Sequence, residues 1–190
     1  MFQTRIHGRG GQGVVTAAEL LSVAAFDAGH HAQAFPSFGS ERTGAPVVAY
    51  CRIADTPIRS REPIVAPDAL IVQDVTLLRQ IDVVAGLRAG GVVLLNSTRY
   101  VDVGPDCAVT AIPATEIAVR HIGRPVPNVA LLGGFVALTG MVSLAGLDQA
   151  IGERFGGALA DGNRAAAHAA YDAVRQRRRD GQRWEEGVDA

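Results

Sequence analysis

The chain has 190 residues, of which 48% are hydrophobic and 19% are charged. This composition supports one domain with its own core and excludes a disordered protein. With 18 basic and 19 acidic residues the formal net charge is -1, so no global field points to nucleic acid or to an anionic membrane. Only Cys51 and Cys107 are present, which excludes a disulfide framework, a four-thiolate zinc site and an iron–sulfur cluster held by this chain alone.

Apolar runs of strand length alternate with stretches of helical periodicity along the chain. We predict, in chain order, a strand at 2–7, a helix at 13–28, an irregular segment at 30–45, a hairpin of 46–53 with 57–58, a strand at 68–73, a helix at 74–87, strands at 92–96 and 108–112, and helices at 113–121, 128–147, 147–155 and 161–179. The alternation predicts an α/β fold, a three-layer α/β/α arrangement with a mixed, mostly parallel sheet and a Rossmann-like first βα unit. We expect one domain over 1–174 and a charged tail over 175–190.

Residues 128–147 are uncharged over 20 positions, a length that can cross a bilayer. Four glycines, together with Asn128, Thr139 and Ser143, keep this stretch only modestly apolar, which favours a buried helix over a membrane span. The N-terminus reaches a glycine-rich turn before any apolar stretch long enough for a signal peptide, so we expect a cytoplasmic protein. The arginines after position 174 favour a solvated helix end over a nucleic-acid site.

Residues 8–13, GRGGQG, match the pattern GxGxxG between a predicted strand and a predicted helix. Glycines allow a tight turn there, and the free N–H groups at the start of the helix attract an anion. A dinucleotide site also needs an acidic residue about 20 positions further on, but residues 30–35 read HHAQAF. NAD is therefore disfavoured, and two interpretations stay open: a site for another phosphate, or close packing of helix against strand.

Residues 35–46, FPSFGSERTGAP, form a second unusual segment. Phe35 and Phe38 are poor residues to leave in water, and burial against a partner chain or a ligand would explain them.

The remaining titratable and polar residues have simpler interpretations. We expect His7 to be a packed or capping histidine and Cys51 to be a core thiol. His30 and His31 are adjacent and would point to opposite faces of a strand, so they do not predict a shared metal. Asn128 is expected to be an N-cap.

Three segments together carry a family resemblance: GRGGQGVVTAAELL at 8–21, FPSFGSERTGAPVVAYCRI at 35–53 followed by Pro57-Ile58, and PNVALLGGFVALTG at 127–140. They resemble the gamma subunit of 2-oxoacid:ferredoxin oxidoreductases, which corresponds to the third domain of pyruvate:ferredoxin oxidoreductase. The resemblance spans residues 1 to about 160.

The resemblance implies an enzyme complex that oxidatively decarboxylates a 2-oxoacid with coenzyme A (CoA) to an acyl-CoA, CO2 and electrons. It also implies that thiamine diphosphate with Mg²⁺ and the [4Fe–4S] clusters reside in alpha, beta and delta subunits. The electrons would pass to ferredoxin or, through an added flavoprotein subunit, to NAD. The chain has no Gly-Asp-Gly followed by a distant Asn for a diphosphate-bound Mg²⁺, so we predict no catalytic and no metal-binding residue in it. It should be inactive alone.

The candidate binding residues follow from the two unusual segments. We hypothesise that the backbone of the glycine turn binds an anionic group such as a CoA phosphate, through Gly10, Gly11, Gln12 and Gly13. Four loop residues would face the alpha subunit or the active-site entrance: Ser37, Ser40, Glu41 and Arg42. Arg42 is the candidate contact to a carboxylate or phosphate, and an internal salt bridge with Glu41 is the alternative. Two other functions stay open: a standalone nucleotide-dependent oxidoreductase that uses the glycine turn, and an adaptor or phosphate-binding domain without a redox role.

Overall fold

The computed structural model of the chain describes residues 1–37, 43–104 and 107–179. Five residues of the segment at 35–46, the predicted binding loop, lie outside the described residues: Phe38, Gly39, Ser40, Glu41 and Arg42. The strands are β1 (Phe2–Arg9), β2 (His31–Pro36), β3 (Pro46–Ala54), β4 (Ala69–Val72), β5 (Val92–Asn96) and β6 (Ala108–Ile112). The helices are α1 (Val14–Asp27), α2 (Ala114–Ile122), α3 (Asn128–Thr139), α4 (Leu144–Arg154) and α5 (Gly157–Arg179), with a short 3-10 helix at Val75–Arg79.

The six strands form one mixed sheet in the order β2-β3-β1-β4-β5-β6. β1, β4, β5 and β6 are parallel neighbours, whereas β3 runs antiparallel to both β1 and β2. β1 is central, and its His7 lies opposite Val48 of β3 and Val72 of β4. The mixed, mostly parallel sheet and the α/β class are confirmed.

The two faces of the sheet are covered differently. All five helices contribute to one large apolar core with side chains such as Ile6, Ile71 and Leu94. The opposite face carries a smaller core that includes Leu70 and Val93, covered by the 3-10 helix and by irregular segments. The second outer layer of the predicted three-layer arrangement is therefore made of loops and one short 3-10 helix.

The predicted strands at 2–7, 68–73, 92–96 and 108–112 are confirmed as β1, β4, β5 and β6. β4 is buried at all four of its positions, as expected for a parallel strand covered on both faces. The helices at 13–28 and 113–121 are confirmed as α1 and α2. α5 spans Gly157–Arg179, so it ends where the last predicted helix ends and includes the first five residues of the predicted charged tail.

The predicted irregular segment at 30–45 and the predicted hairpin of 46–53 with 57–58 are both wrong. Residues 31–36 form β2, which pairs antiparallel with β3. The other edge of β3 is occupied by β1, so no edge is left for Pro57 and Ile58, which lie outside the strands. The antiparallel part of the sheet is formed by the pairing of β3 with β2 and with β1.

The predicted helix at 74–87 is also wrong, because only the 3-10 helix Val75–Arg79 forms. Beyond it, the carbonyls of Val83 and Ala85 accept hydrogen bonds of 2.7 and 2.8 Å from Arg5 Nη2. Gly86 has φ +72°, a left-handed conformation that ends any helix. A buried side chain from β1 thus takes carbonyls that a longer helix would have used itself.

The uncharged stretch at 128–147 is divided between two helices. α3 ends at Thr139, where Gly140 adopts φ +62°, and α4 begins after Ser143, whose hydroxyl accepts a 2.9 Å hydrogen bond from Gly146 N. The prediction of one continuous helix over 128–147 is therefore wrong, and neither α3 nor α4 reaches the length that can cross a bilayer. No helix among residues 1–37, 43–104 and 107–179 is both long and apolar enough to cross a membrane.

A candidate functional site at the glycine turn

The glycine turn lies at the carboxyl edge of the parallel strands. β1 ends at Arg9 and leads into it, while Gln73 and Asp74 follow directly after β4, the parallel neighbour of β1. After β1 the chain continues to β2 at one edge of the sheet, and after β4 it continues to β5, toward the opposite edge. Ligands of open α/β sheets bind outside the carboxyl ends of the strands at such a topological switch point.

The turn is closed by hydrogen bonds between Arg9 and Gln12. Gln12 N donates to Arg9 O at 3.0 Å, and Arg9 N donates to Gln12 Oε1 at 2.8 Å. Gly11 and Gly13 have φ +95° and +71°, a region that glycine occupies without the strain other residues incur. Glycine is therefore required at positions 11 and 13 of the pattern because of their positive φ angles.

The turn is also paired with the far end of the predicted binding loop. Gly10 N donates to Ala45 O at 2.9 Å, Gly44 N donates to Gly10 O at 3.1 Å, and Gly10 bridges Thr43. At the near end of the loop, Ser37 is exposed and its N–H donates to Val48 O at 2.8 Å. The two unusual sequence segments therefore meet, although residues 14–34 separate them along the chain.

The four predicted backbone donors of the turn are not equivalent. The N–H groups of Gly10 and Gln12 are used within the chain, whereas those of Gly11 and Gly13 have no acceptor in the described part of the chain. Gly13 occupies the N-cap position of α1, and no side chain caps that helix. Two amides and the positive end of the helix dipole are therefore available to an anion.

A cavity of about 200 Å³ adjoins these glycines. Its walls include Thr16 of α1, Arg124 from the connection between α2 and α3, and the buried Asn163 of α5. Arg124 is exposed, and its guanidinium has no ion-pair or hydrogen-bond partner among residues 1–37, 43–104 and 107–179. The cavity thus brings together an unpaired guanidinium, a hydroxyl and the start of α1.

Asn128 supports the turn from behind, and the prediction that it is an N-cap is wrong. Pro127 occupies that position without a capping bond. The side chain of Asn128 is 5% exposed; its Nδ2 donates to Gly13 O at 3.2 Å and its Oδ1 accepts from Val129 N at 2.9 Å. A Cβ on Gly13 would overlap Nδ2 of Asn128, so glycine at 13 is needed for this contact as well as for its positive φ.

Arg9 and Asp74 form the polar cluster on the other side of the turn. Arg9 Nε lies 2.8 Å from Asp74 Oδ2, and Asp74 Oδ1 accepts from Thr76 N and Thr76 Oγ1 at 2.9 and 2.6 Å. Burial alone would raise the pKa of the Asp74 carboxyl, but the hydrogen bonds from Thr76 and Arg9 outweigh it and lower the pKa. The ion pair is therefore intact at neutral pH.

Below the turn, β1 carries a buried Arg5–His7 pair. His7 Nε2 accepts a 2.9 Å hydrogen bond from Arg5 Nε, which places the imidazole hydrogen on Nδ1. Burial, and then the neighbouring Arg5, lower the pKa of His7 to about 3. Cys51 on β3 is fully buried, and burial raises the pKa of its thiol to about 12. The Cys51 thiol therefore stays protonated at neutral pH and is not a nucleophile. His7 is neutral there, but it is a buried, weak base whose Nε2 is already bonded to Arg5, so it is poorly suited to act as a general base.

The buried His7 predicts a pH-dependent stability. The unfolded chain titrates at about 6.5 and the folded chain at about 3, so between these values the unfolded state binds more protons. The free energy of unfolding should therefore fall, by up to about 1.4 kcal/mol per pH unit, as the pH drops from 7 to 5. Urea unfolding should show this slope reduced in His7→Gln and retained in His31→Gln, a change at an exposed histidine. An equal slope in all three proteins would contradict the assignment.

Phe35 is partly covered by its own chain. Its ring lies 5.0 Å from that of Tyr50, centroid to centroid, and the guanidinium of Arg52 lies 5.1 Å from its centroid. Phe35 remains half-exposed, and the flanking Pro36 and Ser37 are exposed. The described part of the loop thus keeps a surface for a partner or a ligand, which stays a prediction.

Several residues of this site were not predicted from the sequence. Arg9 was not singled out and Asn128 was assigned a different role, because Arg9 contacts Asp74, 65 residues away along the chain, and Asn128 contacts Gly13, 115 residues away. Arg124 was not singled out because no local pattern marks it. The only local indication was the Pro127-Asn128 pair, which drew attention to Asn128 at the start of α3. Within the described ranges, no cluster of three or more His, Cys, Asp or Glu residues could hold a metal ion.

The fold and the site define an α/β protein with a glycine turn and an adjoining cavity at the switch point of the sheet. It lacks the architecture of a dinucleotide enzyme, because β3 separates β1 from β2 and β2 has no acidic residue to bind a ribose.

The chain matches the family model "Pyruvate ferredoxin/flavodoxin oxidoreductase" over residues 3–173. It is 47% identical to the pyruvate synthase subunit PorC of Methanothermobacter marburgensis, over 92% of this chain and 98% of that protein. It is 44% identical to the pyruvate/ketoisovalerate oxidoreductases common subunit gamma of Thermococcus kodakarensis, over 90% and 96%. The crystal structure of the pyruvate oxidoreductase subunit PORC of Thermotoga maritima superposes with a TM-score of 0.80 at 36% identity, over 90% and 95% of the two chains.

The chain therefore belongs to the pyruvate ferredoxin/flavodoxin oxidoreductase family, and it is a gamma subunit of a 2-oxoacid oxidoreductase. The resemblance inferred from three sequence segments is confirmed. The standalone nucleotide-dependent oxidoreductase is not supported.

Proposed function

We propose that the chain acts in a complex with alpha, beta and delta subunits that converts a 2-oxoacid and CoA to an acyl-CoA, CO2 and reduced ferredoxin. Pyruvate is the 2-oxoacid that the names of all three relatives contain. Thiamine diphosphate with Mg²⁺ and the [4Fe–4S] clusters belong to the partner subunits in this proposal. Two cysteines, one of them fully buried, do not fit a cluster that needs four thiolates.

The chain's own contribution in this proposal is to bind a phosphate group of CoA. The N–H groups of Gly11 and Gly13 would donate to phosphate oxygens, and Arg124 would supply the positive charge. Gly10 and Gln12 would shape the turn, since their N–H groups are already bonded. The loop residues Ser37, Ser40, Glu41 and Arg42 are proposed to face the alpha subunit and the active-site entrance.

One observation carries this proposal: two unbonded amides, an uncapped helix start and an unpaired arginine border the same cavity. Anions are stabilised at helix N-termini by the dipole and by the unsatisfied N–H groups. Nothing in the described part of the chain neutralises Arg124.

The experiment is a reconstitution of the complex with Arg124→Met. We expect the KM for CoA to rise about fivefold to tenfold, because one charge-assisted contact is lost, while kcat and the KM for pyruvate stay within about twofold. Arg120→Met is the matched control, since Arg120 is exposed at the end of α2 and does not line the cavity.

Two outcomes would contradict the proposal. An unchanged KM for CoA in Arg124→Met would remove the phosphate site from this cavity. Turnover of pyruvate by the purified chain without its partners would remove the assignment of the chemistry to those subunits. Tight NAD binding by the isolated chain would favour the nucleotide-dependent alternative.

A further inference from the structure

We propose that Arg9 is a positioning residue for CoA binding, which holds the glycine turn against residues 43–45 and against the end of β4. This inference rests on the proposed function of the turn as a phosphate site. It concerns a residue that does not itself face the cavity beside Gly11 and Gly13.

Every hydrogen-bonding group of Arg9 is used to hold this region together. Its backbone N–H and carbonyl are both bonded to Gln12, at 2.8 and 3.0 Å. Its Nη1 donates to Gly44 O at 3.0 Å. Its Nε donates to Asp74 Oδ2 at 2.8 Å, and its Nη2 donates to Thr76 Oγ1 at 2.7 Å and to Gln80 Oε1 at 3.2 Å. One guanidinium thus joins three segments that are distant in sequence.

The composition of the turn explains why it needs additional hydrogen bonds to fix its conformation. Four of the six residues at 8–13 are glycines, which lose more conformational freedom on folding than any other residue. The turn pairs with 43–45 through only two backbone hydrogen bonds at Gly10. The rigid guanidinium fork fixes Gly44, and the backbone of Arg9 fixes Gln12. Together these contacts keep Gly11 and Gly13 at the edge of the cavity, and pre-organisation of this kind lowers the cost of binding.

A lysine could not replace this arginine. The planar guanidinium presents five N–H donors in a fixed fork, whereas an ammonium is a single point charge. Lysine at position 9 could keep the ion pair with Asp74, but it could not also reach Gly44 and Thr76 in the observed directions. The proposal therefore separates the charge of Arg9 from its bridging geometry.

The chain offers a matched control at the opposite end of β4. Arg88 Nη1 lies 2.7 Å from Asp68 Oδ1, and Asp68 precedes β4 as Asp74 follows it. Arg88 thus forms the same kind of arginine–aspartate pair far from the glycine turn. Arg88→Met should lower the stability without changing CoA binding.

The test uses the assembled complex carrying Arg9→Met, Arg9→Lys or Arg88→Met, with Arg124→Met in parallel. In both Arg9 variants we expect the KM for CoA to rise about fivefold, with kcat and the KM for pyruvate within about twofold, because misplacement of a binding group weakens binding without changing the chemical step. Hydrogen exchange should speed up at the amides of Gly10 and Gly44 in Arg9→Met, but not in Arg88→Met. Arg9→Lys should recover the Tm but not the KM.

The possible failures are distinguishable. If Arg124→Met raises the KM for CoA and Arg9→Met does not, the positioning role of Arg9 is overturned and the proposed phosphate site stands. If neither variant changes that KM, the phosphate site fails and the positioning role fails with it. A wild-type KM in Arg9→Lys would show that charge alone suffices and would overturn the bridging role.

Discussion

Gly133→Ala should destabilise the chain by about 3 kcal/mol or more, because the added methyl group meets backbone and not a movable side chain. Gly133 lies in α3, and a Cβ built on it would come within 2.6 Å of the carbonyl carbon and 2.7 Å of the Cα of Ala167 in α5. Alanine is a better helix former than glycine by about 1 kcal/mol, but this gain is smaller than the cost of separating the two helices. Urea unfolding of the purified chain measures the effect.

The neighbouring glycines provide graded controls for this prediction. A Cβ on Gly134 would meet only side-chain ends, with Ile112 Cδ1 at 2.9 Å and Leu94 Cδ2 at 3.4 Å, so Gly134→Ala should cost clearly less than Gly133→Ala. Gly156 is exposed and has no atom within 4 Å of a built Cβ, so Gly156→Ala should stay within about 0.5 kcal/mol of the wild type. Equal costs at 133 and 156 would show that α3 and α5 do not pack as closely as described.

The close packing of α3 also explains how the uncharged segment is accommodated without a membrane: its apolar side chains are buried inside the protein. Nine consecutive residues from Asn128 to Val136 are buried, since α3 is enclosed by the sheet and by α5. A helix that is apolar on all sides has no preferred face, so the sequence alone allowed both a core helix and a membrane span. Gly140 ends α3 with a positive φ. It is one of four glycines in this segment, so the sequence alone did not show that the helix breaks there.

β4 and β5 could be predicted from their apolar runs because most of their residues are buried on both faces of the sheet. ALIV of β4 and VVLLN of β5 are continuous apolar runs, which few other structures accommodate. β2, with the sequence HAQAFP, has no such run, and it forms because the free edge of β3 offers hydrogen-bonding partners. The helix at 74–87 failed for a similar reason, since Arg5 captures carbonyls 78 and 80 residues away. Local periodicity contains no information about either partner.

The candidate site shows the same division. The glycine turn was predictable because glycine at φ +95° and +71° is a local requirement, and its place between strand and helix follows from the neighbouring runs. Neither the proximity of the turn to residues 43–45 nor the contacts of Arg9 with Gly44 and Asp74 were predicted, because all of these partners are distant along the chain. Arg124 comes from the connection between α2 and α3, where no pattern distinguishes it from the other surface arginines.

The contact between Gly13 and Asn128 leads to a second large effect. Gly13→Ala should cost about 3 kcal/mol, since an L-residue at φ +71° pays about 1–2 kcal/mol and the methyl group also overlaps the buried amide of Asn128. Asn128→Ala should cost about 2 kcal/mol, because it removes the hydrogen bonds to Gly13 O and from Val129 N. Both values are measured as free energies of unfolding in urea.

The double variant Gly13→Ala/Asn128→Ala separates strain from overlap. Once the Asn128 amide is gone, the new methyl group has room, and only the conformational strain at position 13 and the lost hydrogen bonds remain. The double variant should therefore be less destabilised than the sum of the single variants by about 1–2 kcal/mol. Strict additivity would mean that the two residues do not touch. In that case the whole cost of Gly13→Ala would come from the positive φ at position 13. The side chain of Asn128 in α3 would then not be what restricts position 13 to glycine.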